Sequence, residues 1–101
     1  MNTVDVLMVR VYITESSHLL ADTLSWLKKD AGIRGVSVFR AISGFGSTGE
    51  HAASLTDLSL DLPLVIEFFD SDREKINKAC DHLAGILKSF HITVWEAKAN
   101  L

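Results

Sequence analysis

Residues 36–70 read VSVFRAISGFGSTGEHAASLTDLSLDLPLVIEFFD, the stretch whose reading decides the fold. Two runs within it, 36–42 and 62–69, are rich in β-branched and aromatic residues and have the composition of strands. Between them, 43–61 opens Ser-Gly-Phe-Gly-Ser-Thr-Gly-Glu-His, with Gly44, Gly46 and Gly49 crowded around Phe45. Glycines this dense let a backbone approach a ligand or another chain closely. A loop of about 20 residues is uncommon inside a compact domain and usually carries function. The functional expectation therefore centres on 43–61.

Working outward, alternation along 36–42 puts Val36, Val38, Arg40 and Ile42 on one face and Ser37, Phe39 and Ala41 on the other. The run 62–69 is apolar on both faces except at Glu67, with Pro63 near its start, where a strand tolerates it. Upstream, 4–13 (VDVLMVRVYI) is a further strand, also largely apolar on both faces and so expected to be central. Residues 14–17 supply turn and cap groups, and a helix follows to about 31. Its apolar stripe is Leu20, Leu24, Leu27 and Ala31, widened by Leu19 and Trp26. Lys28 and Lys29 suit the negative end of the helix dipole, and Gly32 is placed to end the helix in a left-handed conformation. Downstream, Ser71-Asp72-Arg73-Glu74 has the pattern of a capping box. The second helix continues through Ile76, Cys80, Leu83 and Leu87, with Ala79, Ile86 and Phe90 flanking; 91–97 (HITVWEA) closes as a fourth strand.

The order is strand–helix–strand, loop, strand–helix–strand. Two such halves make a split βαβ pair: an α+β, ferredoxin-like βαββαβ sandwich with an antiparallel four-stranded sheet and two helices on one face. Residues 1–101 are expected to form this one domain. In that plan the first and third strands are central, and these are the two that are apolar on both faces. Two helices cover one sheet face. A further copy of the chain is the economical cover for the other.

Composition agrees. The chain has 101 residues, 10 basic and 13 acidic, for a net charge of −3, and no basic stripe of the kind a nucleic-acid binder carries. Its apolar share of 48 % is high for a small monomer, and such a surplus commonly lies in an oligomer interface. With one cysteine, Cys80, neither a disulfide framework nor a thiolate zinc site can form within one chain. No apolar run nears the roughly 18 residues of a membrane span. The first residues lack the basic region and cleavage site of a signal peptide, so a cytoplasmic location without membrane insertion is expected.

With layout and loop in hand, the sequence resembles the PII-like signalling superfamily, and within it a branch of small uncharacterised proteins. The resemblance is carried by Gly35-Val36-Ser37-Val38-Phe39-Arg40-Ala41-Ile42-Ser43-Gly44-Phe45-Gly46 and by Leu58-Ser59-Leu60-Asp61-Leu62-Pro63-Leu64-Val65-Ile66-Glu67. These fit a GxxVFRxIxGFG…LSxDLPxVIE pattern, and with the flanking layout the resemblance covers most of the chain. It implies a homotrimer whose sheets pack around a central axis. It also implies inter-subunit clefts that bind adenine nucleotides or other small effectors, and a T-loop at 43–61 that engages a partner protein. Some members are encoded beside fluoride-exporter genes, which implies a membrane transporter or channel as partner for those members. Relatives carry a basic, hydroxyl- and Tyr-containing segment entering the first helix; here 15–21 reads ESSHLLA, with no cation but His18. That departure argues against tight triphosphate binding, as does the short stretch after the fourth strand.

Several residues bear two readings. Arg40 is either an anion contact at a subunit cleft, through its planar fork of donors, or half of a structural ion pair across the subunit interface, with Glu67 or Glu96. Gly44, Phe45, Gly46 and Gly49 either form a backbone nest with Phe45 stacking on a base, or a bulged strand exit with Phe45 packed on a neighbour. His51 either binds a metal, tunes ligand binding by pH, or has no role. His18, His51, His82 and His91 have no HxH or HExxH spacing, and no metal site is expected within one chain. Asp70 and Asp72 flank a helix start, where acids satisfy the dipole. Ser17, Ser71 and Cys80 have no identifiable base, so no enzyme is expected; Trp26 and Trp95 read as packing residues.

The expectation is thus a non-enzymatic PII-like regulator with no required cofactor. It would sense a small anionic effector, an adenine nucleotide first and bicarbonate or a similar anion next. Arg40, Gly44, Phe45, Gly46, Gly49 and His51 are the candidate ligand contacts, and Ser47, Thr48 and Glu50 the candidate partner contacts. The alternatives are a ligand-independent module docking through the same loop, and a metal-binding or metal-tolerance trimer.

Overall fold

The computed structural model of the chain describes residues 1–45 and 62–101. Its strands are β1 (Thr3–Thr14), β2 (Val36–Arg40), β3 (Pro63–Asp70) and β4 (Ile92–Asn100); its helices are α1 (Leu20–Lys29) and α2 (Arg73–Ala84). The sheet order is β2-β3-β1-β4, and every pairing is antiparallel. β1 and β3 are the central strands, as their two apolar faces require. This is the ferredoxin-like βαββαβ arrangement.

The pleat sorts side chains by parity. Leu7, Val9, Val11 and Ile13 of β1 and Leu64, Ile66 and Phe68 of β3 point to one side, where they meet Leu27 of α1 and Ile76, Ala79 and Leu83 of α2. Val11 lies opposite Ile66, and Val36 opposite Phe68, so the register aligns the apolar rows. Each large side chain fully buried here contributes roughly 1.5–3 kcal/mol. Trp26 joins this layer's rim, its indole stacked on the His82 ring at 3.7 Å and 5° between planes, so its reading as a packing residue holds.

Element ends differ from the expectation where polar side chains choose the backbone. The first helix starts later, at Leu20, because 15–17 form a single 3-10 turn. There the Ser17 hydroxyl donates to the Thr14 carbonyl at 2.6 Å, and His18 takes a left-handed φ of 57°. The second helix is capped by Asp72 rather than Ser71: its carboxylate accepts the Lys75 N–H at 3.1 Å, while Asp70 accepts the Asp72 N–H at 2.8 Å. A carboxylate held in place by its neighbour displaces the serine from the cap role. That helix stops at Ala84, and Phe90, expected on its flank, has a φ of 67° and is 98 % exposed. β2 ends at Arg40, two residues short of the expected 42, and β4 runs on to Asn100. Gly32 takes the left-handed φ of 68° that its position called for, and the Ile33 N–H reaches back to the Leu27 carbonyl at 2.9 Å. Among the described residues no helix is long and apolar enough to cross a membrane.

Candidate functional site

Because β1 and β2 both run antiparallel to β3, their C-terminal ends meet its start at one edge of the sheet. Three segments converge there. Ala41 donates its N–H to the Pro63 carbonyl at 2.9 Å, closing the two strands on either side of the 43–61 segment. Glu15, directly after β1, donates its N–H to the Leu62 carbonyl at 3.3 Å. A Cβ at Gly44 would sit 3.4 Å from the Pro63 Cγ, in van der Waals contact, so Gly44 lies against the start of β3.

Arg40 ends β2 opposite Leu64, on the helix side of the sheet as parity placed it. Its Nε donates to Glu15 Oε1, and its Nη2 to Oε2 at 3.3 Å. This two-point grip uses the planar fork that distinguishes Arg from Lys. The pair is open to solvent, with the Arg40 side chain 45 % exposed and that of Glu15 37 %. Within the one chain, Glu67 is held by Arg10 at 2.7 Å and Glu96 by Arg73 at 3.1 Å, so neither is the partner of its own chain's Arg40. Sequence reading noted 15–18 only for the cations it lacks and missed that its acid reaches Arg40. The topology held a signal, since two strands flanking a common neighbour end about 10 Å apart, within the combined reach of Glu and Arg side chains.

Just beyond in the chain, Ile42 and Phe45 are 77 % and 84 % exposed, large apolar side chains open to solvent. Arg40, Gly44 and Phe45 therefore share the root of the segment. The other candidates, Gly46, Ser47, Thr48, Gly49, Glu50 and His51, lie outside the described residues.

The sheet face away from the helices carries a second group. Arg10 pairs with Glu67 and lies over the Trp95 ring at 5.4 Å, a cation–π contact. The Glu67 hydrogen bond raises the Arg10 pKa further, keeping its charge fixed. Phe39, Phe69 and Trp95 are each exposed on this side. Cys80 has its thiol pushed up by burial, the reverse of what a nucleophile needs. Among the described residues, no three His, Cys, Asp or Glu side chains gather as a metal site would require.

This architecture is that of the PII-like proteins. CPII from Thiomonas intermedia K12 bound to ADP and bicarbonate matches with a TM-score of 0.77 over 99 % of this chain and 93 % of that one, at 16 % identity. The apo form of CPII, a nitrogen regulatory PII-like protein, matches at 0.70 over 97 % and 95 %, at 10 % identity. At such identities the likeness is one of fold. Sequence gives the family: the DUF190 family (Uncharacterized ACR, COG1993) matches residues 6–99, and the chain belongs to it. A UPF0166 protein of Aquifex aeolicus (strain VF5) is 35 % identical over 95 residues, 88 % of this chain and 96 % of that protein. A UPF0166 protein of Methanocaldococcus jannaschii is 28 % identical over 86 residues, 81 % and 79 % of the two chains.

Proposed function

We propose that residues 1–101 act as one PII-like regulatory domain, non-enzymatic and trimeric. It senses a small anionic effector at clefts between subunits and signals through 43–61 to a protein partner. The observation that carries this reading is Arg40: a solvent-open guanidinium at the end of β2, shortly before Gly44 and the exposed Phe45 at the root of that segment. A fork of N–H donors next to an aromatic face suits a phosphate joined to a base. An adenine nucleotide is the first candidate and bicarbonate the second, in keeping with the ADP and bicarbonate held by CPII. The open sheet face supports assembly, since a neighbouring copy would cover its Phe39, Phe69 and Trp95. The setting is cytoplasmic, and a membrane transporter or channel is a candidate partner, as for those members encoded beside fluoride-exporter genes.

The test is a thermal-shift panel of ATP, ADP, AMP, cyclic nucleotides, bicarbonate and divalent metals, on protein of known mass in solution. A trimer stabilised by one nucleotide class or by bicarbonate is expected, reaching about 2.7 kcal/mol at a hundredfold excess over Kd. Arg40→Ala is expected to abolish that gain while the trimer persists. A trimer indifferent to every anion supports instead the ligand-independent docking module, which the exposure of Ile42 and Phe45 also suits. A variant that falls to monomers makes Arg40 structural.

A further inference from the structure

We propose that Glu15 is a built-in competitor for the anion site: an internal carboxylate that occupies the Arg40 fork until an external anion displaces it. The inference rests on the reading of Arg40 as the effector contact. The chemistry is direct. A guanidinium offers five N–H donors in one plane, and a carboxylate and a phosphate take the same edge of it. Glu15 takes the Nε/Nη2 edge with both its oxygens. An anion arriving at that edge meets both an occupied fork and a like charge.

The backbone holds Glu15 ready for this part. It begins the 3-10 turn Glu15–Ser17, which is closed by the His18 N–H to the Glu15 carbonyl at 3.3 Å and by the Ser17 hydroxyl to Thr14. The left-handed His18 ends the turn. A residue held by its main chain but solvent-open at its carboxylate can swing that carboxylate away while loosening only its own turn. Its own N–H holds the Leu62 carbonyl, and its carboxylate holds Arg40. Glu15 thus ties together the two residues from which the intervening segment departs and returns. Displacing its carboxylate relaxes one of those ties, so effector capture is coupled to the backbone at the segment's root.

The size of the competition is that of an exposed ion pair, so its removal tightens anion binding roughly two- to fivefold. The experiment is calorimetric titration of ADP, and separately of bicarbonate, into wild type, Glu15→Gln, Glu15→Ala and Arg40→Ala. Amide exchange at Glu15 is followed with and without ADP. The expected result is tighter binding in both Glu15 variants, none in Arg40→Ala, and faster Glu15 amide exchange in liganded wild type. Equal or weaker binding in the Glu15 variants, with Arg40→Ala inactive, overturns the competitor and leaves the effector site standing. Unchanged amide exchange overturns the coupling to the segment's root. If wild type and Glu15→Gln bind neither anion, or Arg40→Ala loses nothing, the effector reading fails and the competitor falls with it.

Discussion

The two faces of the one sheet are built from the same strands and differ in almost everything else. On the helix side, Val9, Val11 and Ile66 are fully buried, and Phe68 is 1 % exposed. On the far side, one residue along each strand, stand Arg10, Glu67, Trp95 and the half-exposed Phe39 and Phe69. Strand periodicity of two lets one sequence write both surfaces independently. The covered face stabilises the subunit. The open face keeps apolar area around a fixed ion pair, a composition that an assembly can bury with register set by charge.

The sharpest way to break this comparison is to cut into the covered face. Phe68→Ala removes a ring packed beneath both helices and leaves a cavity, costing about 3–5 kcal/mol. Chemical denaturation reads this directly, as a lower midpoint with little change in slope. A cost below about 1 kcal/mol would mean that the helix side is not the stabilising layer. On the open face, Val65→Asp places a charge among apolar neighbours without disturbing the core behind it. Light scattering is expected to show loss of the proposed trimer, with the far-ultraviolet circular dichroism of the subunit kept. An unchanged mass would remove the open face from the interface.

A smaller change tests what holds the covering layer in place. Asp72→Ala deletes the acceptor for the Lys75 N–H at the start of α2, a cap worth about 0.5–2 kcal/mol. Ser71→Ala is expected to shift stability by only a few tenths. Equal losses in the two variants would restore the serine cap that the sequence pattern suggested.

That contrast marks where reading from sequence stops. The strands, helices and their order were legible because apolar periodicity is a repeated signal, summed over many residues. The face of Arg40 was legible by the same counting. The cap was not, since Ser71 and Asp72 are both good caps, and the choice turned on a hydrogen bond from Asp72 to Asp70. Glu15 was harder still. Its partner lies 25 residues away, and the pair exists because β1 and β2 end on either side of β3. Within the chain, strand pairing sets Glu67 opposite Arg10, and Glu96 of β4 is taken by Arg73 at the start of α2. Single ion pairs depend on topology, which composition does not carry.

The least effect is expected where the covered side runs out. Asp5 lies directly opposite Lys98, with Nζ 2.6 Å from Oδ1, on the helix side but exposed to solvent. The Lys98 hydrogen bond lowers the Asp5 pKa below its usual 3.8. The sign follows from linkage: a carboxyl more acidic when folded adds stability that is complete above 3.8 and is lost as the pH falls through the folded value. Asp5→Asn should therefore leave the melting temperature almost unchanged near neutrality and flatten its decline slightly at acid pH. Salt should erase what difference remains, because water and ions screen an exposed pair. A large loss at neutral pH would mean that this end of the sheet is covered in the assembly, extending the open face's interface around the β4 edge.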